Sequence, residues 1–290
     1  MELARLRVPT LREEGYEAVV ARTADTVRAV AREAGVSLDQ ASLGVGMPGS
    51  VSRVGGLVKN SNTTCLNGRP FREDLAKALQ SPIAFANDAN CFVLAETLLG
   101  AARPYAQGIV FGVIMGTGVG GGIVVKGEVW EGAQNIAGEW GHHAVWAGLS
   151  DARPCYCGRR GCVEQYAAGP AVEADYAARS GTGGGSHSRR LTLPEIASRR
   201  EEDPNARAAI ETLLDTFGRG LANVIDVLDP SAIVLGGGLS NLDILVTEGR
   251  ERVASYVFND ELVTPIMKNE LGDSAGVLGA ALRGAAGVIP

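Results

Sequence analysis

Between residues 137 and 164 the chain reads AGEWGHH, a short spacer, then PCYCGRRGCVE. Three of its five cysteines, Cys155, Cys157 and Cys162, crowd together there, with His142 upstream of them. Thiolates and an imidazole are the ligands that tetrahedral Zn²⁺ prefers, and four protein ligands leave no open position, the composition of a structural site. A disulfide is the competing use of such cysteines. No secretory signal opens the chain, and only Cys65 and Cys91 remain elsewhere, so a metal site is the better reading. Glu139 and Glu164 bracket the cluster. Folding around the metal would fix two carboxylates and a histidine in place.

Four further stretches could do chemistry. In IAFANDANC, Asp88 falls just past a buried apolar run and at the start of a helical one. Open α/β sheets bind ligands at such strand ends, and a carboxylate there could accept the proton of an attacking hydroxyl. Position alone leaves a plain helix cap equally open. The loop VKNSNTTCLNGRPF holds Asn60, Asn62 and Asn67, which suit either turns or sugar hydroxyls. Two glycine-rich turns follow strands: Gly116, Thr117, Gly118, Gly120 and Gly121 in GTGVGGG, and Gly236, Gly237 and Gly238 in AIVLGGGLS. One such turn could be a tight hairpin and no more. Two of them favour backbone N–H groups that cradle phosphates.

The elements that must position these groups follow from periodicity. Residues 3–8, 42–47, 83–86, 108–115 and 123–127 read as strands. Helices are expected over 13–34, 71–79, 89–99, after Gly169, over 206–228 and from about Asn241. The small-residue run GDSAGVLGAALRGAAG reads as a helix packed closely against something. Arg103-Pro104 marks a boundary, with an N-terminal α/β lobe over 1–103, a C-terminal α/β lobe over 104–273, and a helix over 274–288 that packs back on the first. His187, in GTGGGSHS, is expected in a surface loop.

Composition narrows the function. The 290 residues are 46% hydrophobic and 21% charged, which suits a globular protein with a large core. A net charge of −6 and the lack of long basic runs argue against nucleic acid. No apolar run approaches the roughly 18 residues of a membrane span, so a cytoplasmic protein is expected.

GEWGH followed by CYCGRRGCVE resembles the signature of the ROK group (repressors, open reading frames and sugar kinases), and the resemblance runs from about Leu3 to the C-terminus. It implies a two-lobed actin-like, hexokinase-type ATPase fold of ribonuclease H-like lobes, with ATP and sugar meeting in the cleft between them. It implies zinc on His142, Cys155, Cys157 and Cys162, and sugar contacts from Asn62, Asn87, Asp88, Glu139, His142 and Glu164. In the family the histidine faces metal with one ring nitrogen and sugar with the other. NDANC resembles the motif whose aspartate is the base, which makes Asp88 catalytic. The first glycine turn resembles a phosphate-contacting motif and the second an adenosine-contacting one. ATP as co-substrate, Mg²⁺, structural Zn²⁺ and a homodimer or homotetramer are implied with them.

KNSNTTCLNG is most similar to the bacterial fructokinase/hexokinase-type branch, with Cys65 where such relatives often carry tryptophan. The implied reaction is phosphorylation of a hexose, foremost fructose to fructose 6-phosphate, with mannose or glucose as further substrates. An N-acetylhexosamine kinase or glucokinase is the alternative within the family, and a catalytically impaired sugar-binding regulator the alternative of another class. Relatives open with a strand–turn–strand carrying a DLGGTK-like loop ahead of the segment that matches residues 1–9. The chain as it stands is therefore expected to have an incomplete N-terminal sheet and to bind ATP weakly.

Overall fold

The computed structural model describes residues 2–146, 148, 150–182 and 190–286. His187, residues 287–288 and their expected places lie outside these. Contacts divide the chain into two compact units, Met1–Ala95 with Glu131–Ala137 and Asp273–Pro290, and Glu96–Trp130 with Gly138–Gly272. The division falls inside the helix Asp88–Leu98, eight residues ahead of Arg103, and the short segment Glu131–Ala137 joins the first unit. Among the described residues no helix is long and apolar enough to cross a membrane.

In the first unit Leu43–Met47 pairs in parallel with Ile83–Asn87, in the register Leu43↔Ile83 to Met47↔Asn87. Successive residues of a strand face opposite ways, so this small sheet has two different coats. Val45 and Phe85 face the helices Tyr16–Glu33 and Phe71–Leu79, joining a core that includes Tyr16, Val19, Phe71 and Leu75. Phe71 meets Phe85 edge-on at 5.8 Å. Gly44 and Gly46 face the helices Asp88–Leu98 and Ala275–Ala286. A Cβ on Gly44 would fall 1.7 Å from the Ala280 carbonyl oxygen, so helix and strand touch backbone to backbone.

Residues 3–8, expected as a strand, form none. A strand needs a ladder, and this stretch has no strand partner among the described residues. Leu3, Leu6 and Val8 are all exposed, and Arg5 turns instead to Glu2 and Ser274.

The second unit is built on a five-stranded sheet in the order Glu128–Val129, Val119–Val125, Ile109–Met115, Ala232–Gly236, Ile266–Lys268. The central strand Ile109–Met115 runs antiparallel to Val119–Val125 and parallel to Ala232–Gly236. Against the sheet lies Pro204–Leu228, a 25-residue helix. Asp203 caps it by accepting from the N–H groups of Asn205 at 2.8 Å and Ala206 at 3.4 Å. Glu96 is fully buried and spends its carboxylate on the backbone N–H groups of Ala101, Glu270 and Leu271. The helix expected from Asn241 is replaced by two 3-10 turns, Gly238–Asn241 and Asp243–Leu245, and a helix starts only at Glu248. Ser240 explains the change, because its side chain and its N–H both bond back to the Gly237 carbonyl.

Candidate active site

Asp88 opens the helix Asp88–Leu98 directly after the strand Ile83–Asn87. Asn87 does the capping: its Oδ1 accepts from the N–H groups of Ala89 at 2.8 Å and Asn90 at 3.4 Å, and its Nδ2 donates to the Gly49 carbonyl at 3.0 Å. The Asp88 carboxylate accepts from the adjacent Ala89 N–H, at 2.9 Å, a donor it shares with Asn87. The cap role that position left open therefore falls to Asn87, and Asp88 is left with an exposed carboxylate. The bulk of protein around it still desolvates the charge, and that pushes its pKa up despite the lowering pull of nearby amides. A base with a raised pKa is better matched to neutral pH than an ordinary aspartate.

The asparagine loop divides in the same way. Asn67 is spent on the turn, accepting from the Ser61 N–H and donating to the Ser61 carbonyl, both at 2.9 Å. Asn60 holds a left-handed backbone with φ of 58°. Asn62 is exposed, and its side chain has no hydrogen-bond partner among the described residues, which leaves its amide open to a ligand.

In the second unit the four expected metal ligands meet. One donor atom from each of His142, Cys155, Cys157 and Cys162 lies within 4.8 Å of the others. His142 Nδ1 is 3.6 Å from Cys155 Sγ, and Cys157 Sγ is 3.7 Å from Cys162 Sγ. Zn–S bonds of about 2.3 Å in a tetrahedron set sulfurs about 3.8 Å apart, so the spacing fits Zn²⁺. Burial, then the neighbouring Cys157 and Cys155, push the Cys162 thiol up to about 12. A divalent cation among the sulfurs reverses that preference, since it favours the thiolates.

His142 Nε2 points away from the sulfurs and lies 3.1 Å from the Tyr156 hydroxyl, the rings meeting edge-on at 5.3 Å. Burial, and then Glu164, Cys155 and Glu139, push that hydroxyl up to about 12, which places Tyr156 in the field of both candidate sugar carboxylates. Sequence reasoning passed over Tyr156. Its only signal was its place between two ligand cysteines.

Glu164 starts the short helix Glu164–Ala167, and its Oε2 accepts from the Val119 N–H at 2.9 Å. A Cβ on Gly118 would come 2.9 Å from that same oxygen. The candidate sugar carboxylate is thus tied to the first glycine turn. Glu139 stands exposed at the start of the turn Trp140–His142 and is not free of partners. Trp140 is buried and donates from Nε1 to the Gly120 carbonyl at 2.8 Å, anchoring the segment to the sheet.

The two glycine turns are neighbours because their strands pair in the register Ile114↔Gly236. A Cβ on Gly116 would reach 3.9 Å from the Gly238 nitrogen. The open part of the first turn is shorter than the glycine run. Gly120 and Gly121 lie within the strand Val119–Val125, paired with Ile114 and Val113, and Gly116 donates to the Gly118 carbonyl at 2.9 Å. The N–H groups of Thr117, Gly118, Gly237 and Gly238 have no acceptor among the described residues. Gly237, with φ of 77°, lies against the Met115 backbone, where a Cβ would come 2.4 Å from its carbonyl oxygen. Clustered, unspent N–H groups of this kind make an anion-binding concavity.

Comparison with known proteins gives the family and the fold. Residues 2–283 match the ROK family. The chain is 35% identical to an N-acetyl-D-glucosamine kinase of Yersinia pseudotuberculosis over 95% of its length and 89% of the relative's. It is 32% identical to an N-acetylgalactosamine kinase of Shewanella sp. over 93% of its length and 86% of the relative's. The ROK hexokinase of Thermus thermophilus superposes with a TM-score of 0.82 at 31% identity, covering 99% of this chain and 91% of that one. The fold is accordingly the actin-like one of these hexokinases, and the chain belongs to the ROK family, in the enzymatic class of its sugar kinases.

Proposed function

We propose that this protein transfers the γ-phosphoryl group of ATP to a hydroxyl of an N-acetylhexosamine, foremost the 6-hydroxyl of N-acetylglucosamine. The observation that carries this reading is the 35% identity to an N-acetyl-D-glucosamine kinase across almost the whole chain. The N-acetylgalactosamine kinase supports the same substrate class. Fructose, suggested by KNSNTTCLNG, is displaced by these relatives as the first choice. One loop of Asn60–Asn67 type does not describe a whole sugar pocket.

Asp88 is the base. Its carboxylate takes the hydroxyl proton as the sugar oxygen bonds to the γ-phosphorus, and the bond from that phosphorus to the bridging oxygen breaks to release ADP. The N–H groups of Thr117, Gly118, Gly237 and Gly238 hold phosphate oxygens of the nucleotide. Mg²⁺ carried by ATP shields the charge that repels an oxygen nucleophile. Asn62, Asn87, Glu139, His142 and Glu164 bind sugar hydroxyls, carboxylates accepting and amides donating. His142, Cys155, Cys157 and Cys162 would hold a structural Zn²⁺, which would fix the imidazole and leave its second nitrogen, now beside the Tyr156 hydroxyl, for the sugar. Reliance on ATP fits a cytoplasmic enzyme.

The test is sugar-dependent ADP release by the purified protein with Mg-ATP, run in parallel on N-acetylglucosamine, N-acetylgalactosamine, N-acetylmannosamine, glucose and fructose. The highest kcat/KM on N-acetylglucosamine is the expected outcome. Preference for fructose would return the reading to the fructokinase branch, and silence on all five would sink it.

A further inference from the structure

The strand Ile83–Asn87 pairs with Leu43–Met47 along one edge and with no strand along the other, among the described residues. A cavity of about 530 Å³ runs beside it. All five residues of the strand line that cavity, whereas the face of a sheet would present only alternate ones, so it lies against the open edge. Every other lining residue also belongs to the first unit. Asp88 does not line the cavity; the contact with the candidate site is Asn87 at one end. The volume suits a drug-sized or sugar-sized ligand.

The wall is cationic. Arg53, Arg72 and Arg283 line it against a single carboxylate, Glu131. Arg283 pairs with Glu131 at 3.1 Å, and Arg72 pairs with its neighbour Glu73 at 3.1 Å on the helix surface. Among the described residues Arg53 bonds to neutral oxygens alone, the Asn135 side chain at 3.1 Å and the Gly132 carbonyl at 3.2 Å, and pairs with no carboxylate. Two buried polar atoms on the same wall have no partner among the described residues, Arg283 Nε and Asn90 Oδ1. Asn90 is 7% exposed. A buried group left unmatched costs about 1–3 kcal/mol, which is why unmatched pairs of this kind usually mark a missing partner. Their chemistry specifies it. A guanidinium N–H seeks an anionic oxygen, in a fork that fits phosphate, and an amide oxygen seeks a hydroxyl donor.

We infer that this cavity binds a phosphate monoester of a polyhydroxylated small molecule, a phosphorylated sugar, with Arg53, Arg72 and Arg283 on the phosphate and Asn90 on a hydroxyl. The site is separate from the base Asp88 and does not depend on the proposed reaction.

Calorimetric titration separates the possibilities, with N-acetylglucosamine 6-phosphate, inorganic phosphate and N-acetylglucosamine as probes. Arg72→Glu and Arg53→Gln are the variants, with thermal melts to show that both remain folded. Arg72 is a helix-surface residue, so its replacement leaves the core untouched. The sugar phosphate is expected to bind the native protein and to lose at least about tenfold in affinity in each variant, the effect of removing one charge-assisted hydrogen bond. Binding of N-acetylglucosamine should be unchanged in Arg72→Glu. Sugar phosphate bound equally by native protein and both variants would assign it to the Asp88 site and overturn the inference, as would no binding at all. Inorganic phosphate bound as tightly as the ester would overturn the monoester in favour of the free anion. Loss of kinase turnover with this binding intact would count against the proposed function alone.

Discussion

The surroundings of Asp88 and those of Glu164 are made rigid by opposite means. Behind Asp88 the chain lies backbone against backbone: a Cβ on Gly279 would fall 1.8 Å from the Cys91 carbonyl oxygen, and one on Gly284 2.7 Å from the Gly44 nitrogen. Around Glu164 the fixing is done by side chains, through the four-ligand cluster, the Trp140–Gly120 bond and the Glu164–Val119 bond. The first device excludes every added atom and leaves no motif. The second depends on a few named residues, four of which could hold a metal. The proposed base thus sits on a strand end stiffened from below, while the proposed sugar ligands sit in a loop that side-chain cross-links hold in shape.

That contrast can be broken region by region. Stripping zinc with a chelator, or Cys162→Ala, is expected to have the largest effect. It should lower stability by more than about 3 kcal/mol and abolish sugar binding, read by thermal melts and titration with N-acetylglucosamine. A melt unchanged by chelation would show that the cluster needs no metal. Gly44→Ala comes next, with about 2–3 kcal/mol lost because the new Cβ meets the backbone of Ala280 and Gly284 rather than a flexible side chain. Urea unfolding checks it, and a loss under about 0.5 kcal/mol, the range of ordinary surface changes, would contradict the close packing. Gly118→Ala should spare the fold but push Glu164 from its place, raising KM for the sugar by about tenfold, the worth of one displaced hydrogen bond to a charged group. The smallest effect is the pH profile. Because desolvation by the surrounding protein raises the Asp88 pKa and a base acts ionised, kcat/KM should fall with acid at a pH above the ordinary aspartate value of about 3.9. An acid limb at or below that value would remove the argument from burial.

The same contrast decides how much could be read from the sequence. The gathering of His142, Cys155, Cys157 and Cys162 was legible because few side chains bind metal and their spacing is restrictive. Asp88 was legible as a candidate because IAFANDANC changes from strand to helix pattern at that residue. The capping by Asn87 was not, since Asn and Asp both cap and only geometry tells which one does. Gly120 and Gly121 looked like part of a phosphate loop, yet both are strand residues, and Gly121 is kept small by Trp140 and Gly138. The strand expected over residues 3–8 failed for want of a paired partner, which alternation cannot report. The helix expected from Asn241 lost to the local bonds of Ser240, and the edge cavity with its three arginines came from residues far apart in the chain.

Asp88→Asn tests the central claim most directly, with phosphoryl transfer to N-acetylglucosamine and binding of that sugar measured on the same preparations. The amide keeps the shape and the Asn87 cap but cannot take a proton. Turnover should fall by about 10²–10⁴, the span of general-base catalysis, with sugar affinity and the melting temperature held. A variant that still transfers phosphate at a tenth of the native rate or more would contradict the assignment of Asp88 as the base.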